Sequence, residues 1–158
     1  MRAKVPTYVA DTRFLRDLIQ CLTPGPDEEI AYVTGVKLGT LRVLSRIVPL
    51  GLAQQSPVYA LSDRASTADA LLSMLHDGNI LHVMSHSHPG GGPSATFPSS
   101  IDLNYLRRVQ RSGAQVIGLI VTRDGCVRAF SIEQAFQFLV QGNGCTRMGK
   151  DVYHVDLQ

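Results

Sequence analysis

Apolar positions along the chain alternate between helical and strand-like spacings, and each spacing predicts one kind of element. After a capping residue at Asp11 or Thr12, apolar side chains recur three and four positions apart as far as Leu22. This repeat places them on one face of a helix, which Thr23-Pro24-Gly25-Pro26 ends. A second helix is predicted from Ser66 to His76 by the same reasoning.

Segments rich in β-branched and apolar residues predict strands between these helices. Glu28–Lys37 and Leu41–Val48 form a predicted hairpin around Leu38-Gly39-Thr40. Ile80–Ser85 is a strand that leads directly into His86. Further strands are predicted at Val5–Val9, which would be an opening edge strand, and at Val58–Leu61, Gln115–Thr122 and Cys126–Phe130.

Two more helices are predicted in the second half of the chain. One runs from Ser100 to Arg111 with its apolar residues facing inward. The other is capped by Ser131, with Gln134 in the capping-box position, and continues through Val140.

The order of these elements predicts one domain over residues 1–158, with a core over about residues 5–140. Residues 141–158 are interpreted as a tail, with Asp151–Leu157 as an alternative terminal strand. The predicted fold class is α/β (α+β), a mixed β-sheet sandwiched by helices.

Composition narrows the classes of function. The 158 residues are 44% hydrophobic, which suits one globular domain with a substantial core. The net charge is only +2, basic residues are scattered and Trp is absent, so nucleic-acid binding has little support. No apolar run approaches the roughly 20 residues of a membrane span. Met1–Pro6 leads into no apolar segment, so we expect no secretory signal and a cytoplasmic location.

The three cysteines, Cys21, Cys126 and Cys145, form no C-x-x-C pair. An odd number without that spacing favours a reducing compartment over a disulfide framework or a cysteine-rich zinc site. Cys21 falls on an apolar helix face and Cys126 at a strand start, where each is expected to be a buried small residue.

The strongest candidate chemistry is a histidine pair with a later carboxylate. His86 and His88 lie two residues apart at the end of a strand, so their side chains share a face. Asp102 follows a loop rich in Gly and Pro. Two His and one carboxylate can hold zinc with its fourth position open, as in catalytic sites.

Each part of this pattern also has an ordinary structural explanation. His-x-His occurs by chance on strands, and Ser99-x-x-Asp102 has the spacing of a helix capping box. The two interpretations are compatible, because a capped helix start is a rigid mount for a ligand. His82 shares strand parity with the pair but lies about 13 Å from His86 along a strand, so it is expected to be packed or to support a ligand.

His86-x-His88-Pro89, Ser99 and Asp102 resemble the signature of JAMM metalloproteases, the catalytically competent MPN domains. That signature also has an upstream Glu followed seven residues later by Gly, which Glu28 and Gly35 match here.

The match to this signature leaves a choice of glutamate and includes a longer loop than usual. Glu29 competes with Glu28, but a slip of one residue on a strand would turn it to the opposite face, so Glu28 is favoured. Ten residues, Pro89 to Pro98, separate His88 from Ser99, whereas the family usually has seven. The additional length falls in a loop, where it costs little stability.

The resemblance implies an MPN/JAB-like fold and one zinc ion held by His86, His88 and Asp102. It implies that Glu28 is the general base that takes the proton of water, and that Ser99 stabilises the oxyanion. JAMM proteins cleave after the C-terminal Gly of ubiquitin-like modifiers. The compact chain is similar to prokaryotic members of the family, for which a ubiquitin-like protein or its conjugate is the expected substrate and conjugation-pathway enzymes are expected partners.

Two other classes of function stay open on sequence grounds. One is a non-catalytic MPN scaffold, which this chain resembles less because the ligand residues are all present. The other is a zinc amidase that acts on a small substrate.

Overall fold

The computed structural model describes residues 4–56 and 59–158, so the predicted strand start at Val58 lies outside the described residues. It contains three α-helices, α1 (Thr12–Leu22), α2 (Arg64–His76) and α3 (Ser100–Arg111), and a short 3-10 helix at Pro93–Thr96. The strands are β1 (Thr7–Asp11), β2 (Ile30–Leu38), β3 (Leu41–Pro49), β4 (Leu52–Ser56), β5 (Tyr59–Ser62), β6 (Ile80–Ser87), β7 (Ile117–Val121), β8 (Cys126–Phe130), β9 (Gln137–Gln141), β10 (Cys145–Gly149) and β11 (Val152–Val155).

Nine strands form one mixed sheet in the order β10-β11-β8-β7-β6-β2-β3-β1-β9, while β4 and β5 pair separately. The hairpin predicted between β2 and β3 is present and antiparallel, and Gly39 turns it with a φ of 60°. β6 lies beside β2 on one side and runs parallel to β7 on the other. β6 is therefore the central strand of the sheet.

The sheet curves until strands near its two ends come into contact. Phe138 of β9 contacts Tyr153 of β11 with ring centroids 5.7 Å apart, and the Tyr153 hydroxyl donates to the Phe138 carbonyl. Eight of its nine strands, all but β10, contribute to a single buried cluster inside this curve. α1 packs into the same interior through Phe14, Leu15, Leu18, Ile19 and Leu22. The result is a nearly closed barrel around one helix.

A second apolar cluster lies on the other face of the sheet. Tyr32 of β2 and Met84 of β6 pack there against Met74 of α2 and Leu106 of α3. The alternation of Val83 and Met84 between the two clusters follows the period of two along a strand. β6 thus links the barrel interior to the side on which the candidate site lies.

The expected helix-sandwiched, MPN/JAB-like sheet is wrong as a description of this fold. The described residues form a nearly closed, nine-stranded mixed barrel with three α-helices, in which strands predominate. The prediction counted too many helices and did not anticipate that the sheet would close on itself. The pattern of apolar residues reports which face of a strand is buried, and it carries no direct information about curvature.

The fourth predicted helix, Ser131–Val140, is absent, and the chain instead enters β9. The Ser131 hydroxyl accepts a hydrogen bond from Gln110 Nε2, and Gln134 Nε2 donates to the Ala114 carbonyl. Both supposed capping side chains therefore make tertiary hydrogen bonds. β9 pairs in parallel with β1, where Thr7 aligns with Gln137. This distant pairing overrides the local helical pattern.

Three smaller expectations also change. β1 is not an edge strand, because it lies between β3 and β9. The segment expected to be connecting sequence after Pro49 contains β4. Residues 145–155 form β10 and β11 rather than a tail. The alternative expectation of a strand at Asp151–Leu157 is met in part by β11, whose Val155 is fully buried.

Among the described residues, no helix combines the length and apolar character needed to cross a lipid bilayer.

Candidate metal centre

The end of β6 presents both histidines to one side of the barrel wall. Pairing with β7 holds the strand in place, with His86 aligned to Ile120. The backbone N–H of His88 extends this ladder by donating to the Val121 carbonyl at 2.9 Å. The two rings meet at an angle of 60° with centroids 4.8 Å apart, and their Nε2 atoms are 3.0 Å apart. The strand therefore places the Nε2 atoms of both histidines next to each other, where one ion could contact both.

The first turn of α3 places the Asp102 carboxylate beside the two histidines. Ser99 caps the helix by accepting from the Asp102 N–H at 3.2 Å, and Asp102 Oδ2 accepts from the Ser99 N–H at 2.7 Å. This is the predicted capping box. The same carboxylate reaches the histidines, because Oδ1 lies 3.2 Å from His86 Nε2 and Oδ2 lies 3.3 Å from His88 Nε2.

These three side chains could hold a metal ion. One ligand atom from each of His86, His88 and Asp102 lies within 4.8 Å of the others. Tetrahedral zinc with ligand bonds of about 2.0–2.1 Å requires ligand atoms roughly 3.3 Å apart. The two Nε2 atoms are 3.0 Å apart, and each lies 3.2 or 3.3 Å from a different oxygen of Asp102, so the pairwise contacts are close to that value. The set supplies three ligands, so a fourth position stays open.

The charges of the cluster also suit a cation. Burial acts to raise the pKa of Asp102, but hydrogen bonds from His86 and His88 outweigh it and hold that pKa well below its usual value. Burial acts to lower the pKa of His88, yet its contacts with Asp102, the Ala95 carbonyl and Glu28 leave that pKa raised. An anionic Asp102 between two imidazoles provides the charge that a divalent cation would neutralise.

Glu28 lies beside this cluster, just before β2 begins. Its Oε1 atom is 4.0 Å from His88 Nε2, and its side chain is 10% exposed. Burial and the Asp102 charge raise its pKa to about 7, although the positive charge of His88 opposes the shift. Glu29 lies elsewhere, with its carboxylate accepting from Gln55 Nε2 at 2.6 Å. Of the two candidate glutamates, the structure places Glu28 next to the histidines.

The other histidines lie away from the cluster. His82 is fully buried against the Tyr8 ring, with centroids 6.4 Å apart. A bulge in the pairing of β2 with β6 aligns Val33 with Val83 but Thr34 with Leu81, which removes His82 from the regular alternation. His76 pairs with Asp77 at the end of α2, and His154 contacts the Asp124 carbonyl.

The backbone of the long loop supplies a contact that the sequence pattern did not indicate. His88 Nδ1 lies 3.0 Å from the Ala95 carbonyl, within the 3-10 turn. The N–H of Gly92 donates to Asp124 at 2.7 Å, which ties the loop to the turn between β7 and β8. A backbone carbonyl leaves no signal in residue type, so sequence reasoning had no means of finding Ala95.

Two cavities adjoin the cluster. The larger has a volume of about 610 Å³ and extends from the candidate ligands along the outer apolar cluster. Its walls include Glu28, Ser99 and the candidate ligands, with apolar surface from Ile30, Leu50, Leu61, Met84, Leu106 and Phe130. The smaller has a volume of about 240 Å³, shares His88 and Pro89 with the first, and includes Asp27 and Arg123 in its wall.

The cysteines do not form a competing nucleophilic centre. All three are free thiols, and Cys126 is buried below the turn between β7 and β8. Burial raises the pKa of Cys21, of Cys126 and of Cys145. A raised pKa disfavours the thiolate that nucleophilic catalysis needs.

No family model and no curated protein matches the chain. Among solved structures, the chain is similar to the solution structure of protein DSY2949 from Desulfitobacterium hafniense, a target of the Northeast Structural Genomics Consortium. The two share 16% identity with a TM-score of 0.62, and the match covers 85% of this chain and 92% of the other. At that identity the likeness concerns the fold alone.

Proposed function

We propose that the protein is a zinc-dependent peptidase or isopeptidase. The observation that carries this proposal is the convergence of His86, His88 and Asp102 within 4.8 Å, with the Glu28 carboxylate beside them. Three ligands with an open position and an adjacent carboxylate are the components of a hydrolytic zinc site. The resemblance of the same residues to the JAMM signature points to amide bonds as the substrate.

In this proposal, separate residues of the chain transfer the proton and stabilise the oxyanion. A bound zinc ion supplies a Lewis acid that lowers the pKa of water toward neutrality. Glu28 takes the proton from the attacking water and returns it to the leaving amine, and its pKa of about 7 suits both steps near neutral pH. The Ser99 hydroxyl accepts from the Asp102 N–H, which leaves its own hydrogen available for the developing oxyanion.

The proposed substrate is the C-terminal glycine of a ubiquitin-like protein, joined to a peptide or lysine amine. Support comes from the resemblance and from the two cavities, which both have His88 and Pro89 in their walls and leave room for chain next to the cluster. A bacterial ubiquitin-like conjugation pathway is the setting that the resemblance implies.

The first experiment measures zinc per chain in the purified protein beside His88→Ala. We expect roughly one zinc per chain in the wild type and none in the variant, because two remaining ligands hold zinc weakly. His76→Ala is the matched control, since His76 is exposed at the end of α2 and pairs with Asp77. Absence of zinc from the wild type after incubation with the metal would overturn the proposal and leave the non-catalytic scaffold as the better interpretation.

A second candidate is hydrolysis of a small amide. The larger cavity favours it, because about 610 Å³ with mostly apolar walls is within the range of small-molecule sites. Assays of a ubiquitin-like fusion and of small acyl amides with the same zinc-loaded protein separate the two. Turnover of small amides alone would replace the peptidase assignment.

A further inference from the structure

We propose that Arg128 is a positioning residue for the metal centre, because it holds the loop that orients His88. This inference rests on the proposed zinc site. It concerns the long segment between His88 and Ser99, where the chain departs from the pattern that its ligand residues resemble. Arg128 lies on β8 and contacts that loop.

The loop acts on His88 through one hydrogen bond. His88 Nδ1 lies 3.0 Å from the Ala95 carbonyl, and a carbonyl oxygen can only accept. Nδ1 therefore carries a hydrogen, and in the neutral ring that ligates a metal the lone pair is on Nε2. Nε2 is the nitrogen that faces His86 and Asp102. The carbonyl thus selects the tautomer and the ring orientation that ligation requires.

Arg128 donates hydrogen bonds to the loop on both sides of Ala95. Its Nε donates to Thr96 Oγ1 at 3.0 Å, and Nη2 donates to the Pro93 carbonyl at 3.3 Å. Its guanidinium also stacks on the Phe97 ring, 4.1 Å from the centroid. These three contacts bracket Ala95 within a single turn, so they determine where its carbonyl points.

Thr96 connects the guanidinium to the turn. Its side chain is fully buried, and its hydroxyl donates to the Pro93 carbonyl at 2.6 Å while accepting from Arg128. The turn is closed by the Ala95 N–H, which donates to the Gly92 carbonyl at 3.2 Å. The loop therefore supports His88 through a turn that Arg128 holds against β8.

The test compares zinc affinity in Arg128→Met, Arg128→Lys and Thr96→Val with that of the wild-type chain, by competition with a chromophoric chelator. Loss of a residue that supports a ligand typically weakens metal binding 10–100-fold, so we expect roughly a tenfold or greater rise in Kd for Arg128→Met. Arg128→Lys should recover part of the affinity, since one ammonium can replace one of the two donors. Arg147→Met is the control, because Arg147 is exposed and bonds to Gly149.

A second readout separates positioning from general loss of structure. Nitrogen-15 NMR of the zinc-loaded protein follows the Nδ1–H of His88, which should be protected from exchange with solvent while it donates to the Ala95 carbonyl. We expect a protected Nδ1–H in the wild type and faster exchange in Arg128→Met. Thr96→Val nearly preserves side-chain volume, so it keeps the test valid if Arg128→Met fails to fold.

The outcomes are distinguishable. If the wild type binds zinc and Arg128→Met and Thr96→Val bind it with unchanged Kd, the positioning inference is overturned and the proposed function stands. If the wild type itself binds no zinc, both are overturned. A rise in Kd confined to the Arg128 and Thr96 variants, with Arg147→Met unchanged, supports the inference.

Discussion

At the scale of single residues, the candidate metal centre depends on side chains that also stabilise the fold. The Asp102 carboxylate accepts the Ser99 N–H and approaches both histidines, so one residue serves the helix cap and the candidate site. The sequence predicted that these three side chains would meet, because the spacing of two on a strand and of three in a capping box are local signals. It could not predict Ala95, which contributes only a backbone carbonyl.

Glu28→Gln should abolish most turnover while leaving zinc bound. Glutamine preserves the size of the side chain but cannot accept the proton of water, and general-base catalysis typically contributes 10²–10⁴-fold to a rate. The measurements are kcat on a cleaved substrate and zinc content by atomic absorption. Glu29→Gln is the matched control, since the Glu29 carboxylate faces Gln55. Normal cleavage by the Glu28 variant would show that the base is elsewhere.

We expect the free energy of unfolding to fall in mild acid because of the buried His82. Burial and, secondarily, the Arg42 charge lower the pKa of His82 to about 4, against a usual value of about 6.5. Between pH 6.5 and 4 the unfolded chain takes up a proton that the folded chain does not. The free energy of unfolding therefore falls as pH falls through this window, by up to about 3 kcal/mol in total.

Urea unfolding of wild type and His82→Phe from pH 7.5 to 4 measures this effect. The variant should lose less stability across the window, because phenylalanine does not titrate and nearly matches the ring in size. His154→Phe, at a histidine whose ring contacts the Asp124 carbonyl, serves as the control. Parallel pH dependence of wild type and His82→Phe would contradict the assignment.

At the scale of elements, local signals were sufficient wherever contacts are local. Asp11 caps α1 as predicted, with its carboxylate accepting from Phe14 N–H at 2.6 Å, and the β2–β3 hairpin has its predicted turn. β9 shows the limit of this approach. Its pairing with β1 places Gln137 beside Thr7, so the information that makes it a strand lies at the other end of the sequence.

Ser99 offers a prediction that separates its structural role from its chemical one. Ser99→Ala should lower the free energy of unfolding by about 1 kcal/mol, whereas Ser99→Gly should cost only a few tenths, because glycine is tolerated at a helix N-cap. Both variants lack the hydroxyl, so both should lose activity to a similar extent, on the order of 10²–10³-fold. Chemical denaturation and kcat measurements provide the two comparisons.

If activity instead followed stability, with the glycine variant far more active than the alanine variant, the hydroxyl would serve only as a helix cap.

At the scale of the whole molecule, the barrel depends on its last strands. Tyr153 and Val155 of β11 are buried in the same cluster as residues of α1, and the Tyr153 hydroxyl bonds to β9. Composition and periodicity did not reveal this closure, because a short segment such as 152–155 carries too few alternations to be distinguished from a tail.

Removal of residues 142–158 should eliminate cooperative unfolding. The truncated chain would lack β10 and β11 and would expose the barrel interior along β8. Thermal unfolding followed by circular dichroism tests this, with removal of Leu157 and Gln158 alone as the control. A sharp transition in the longer truncation would contradict the view that these strands complete the core.

The pairing of β1 with β9 has a consequence for how the protein is made. β1 leaves the ribosome before the other described strands, whereas its partner at residues 137–141 and the closing strand at 152–155 are synthesised more than 120 residues later. His86, His88 and Asp102 therefore leave the ribosome before the scaffold that holds them can close. Because such long-range pairing must wait for β9 and β11, we expect the fold to form only once residues 137–155 have emerged from the ribosome, and at the slow rate of proteins dominated by non-local contacts.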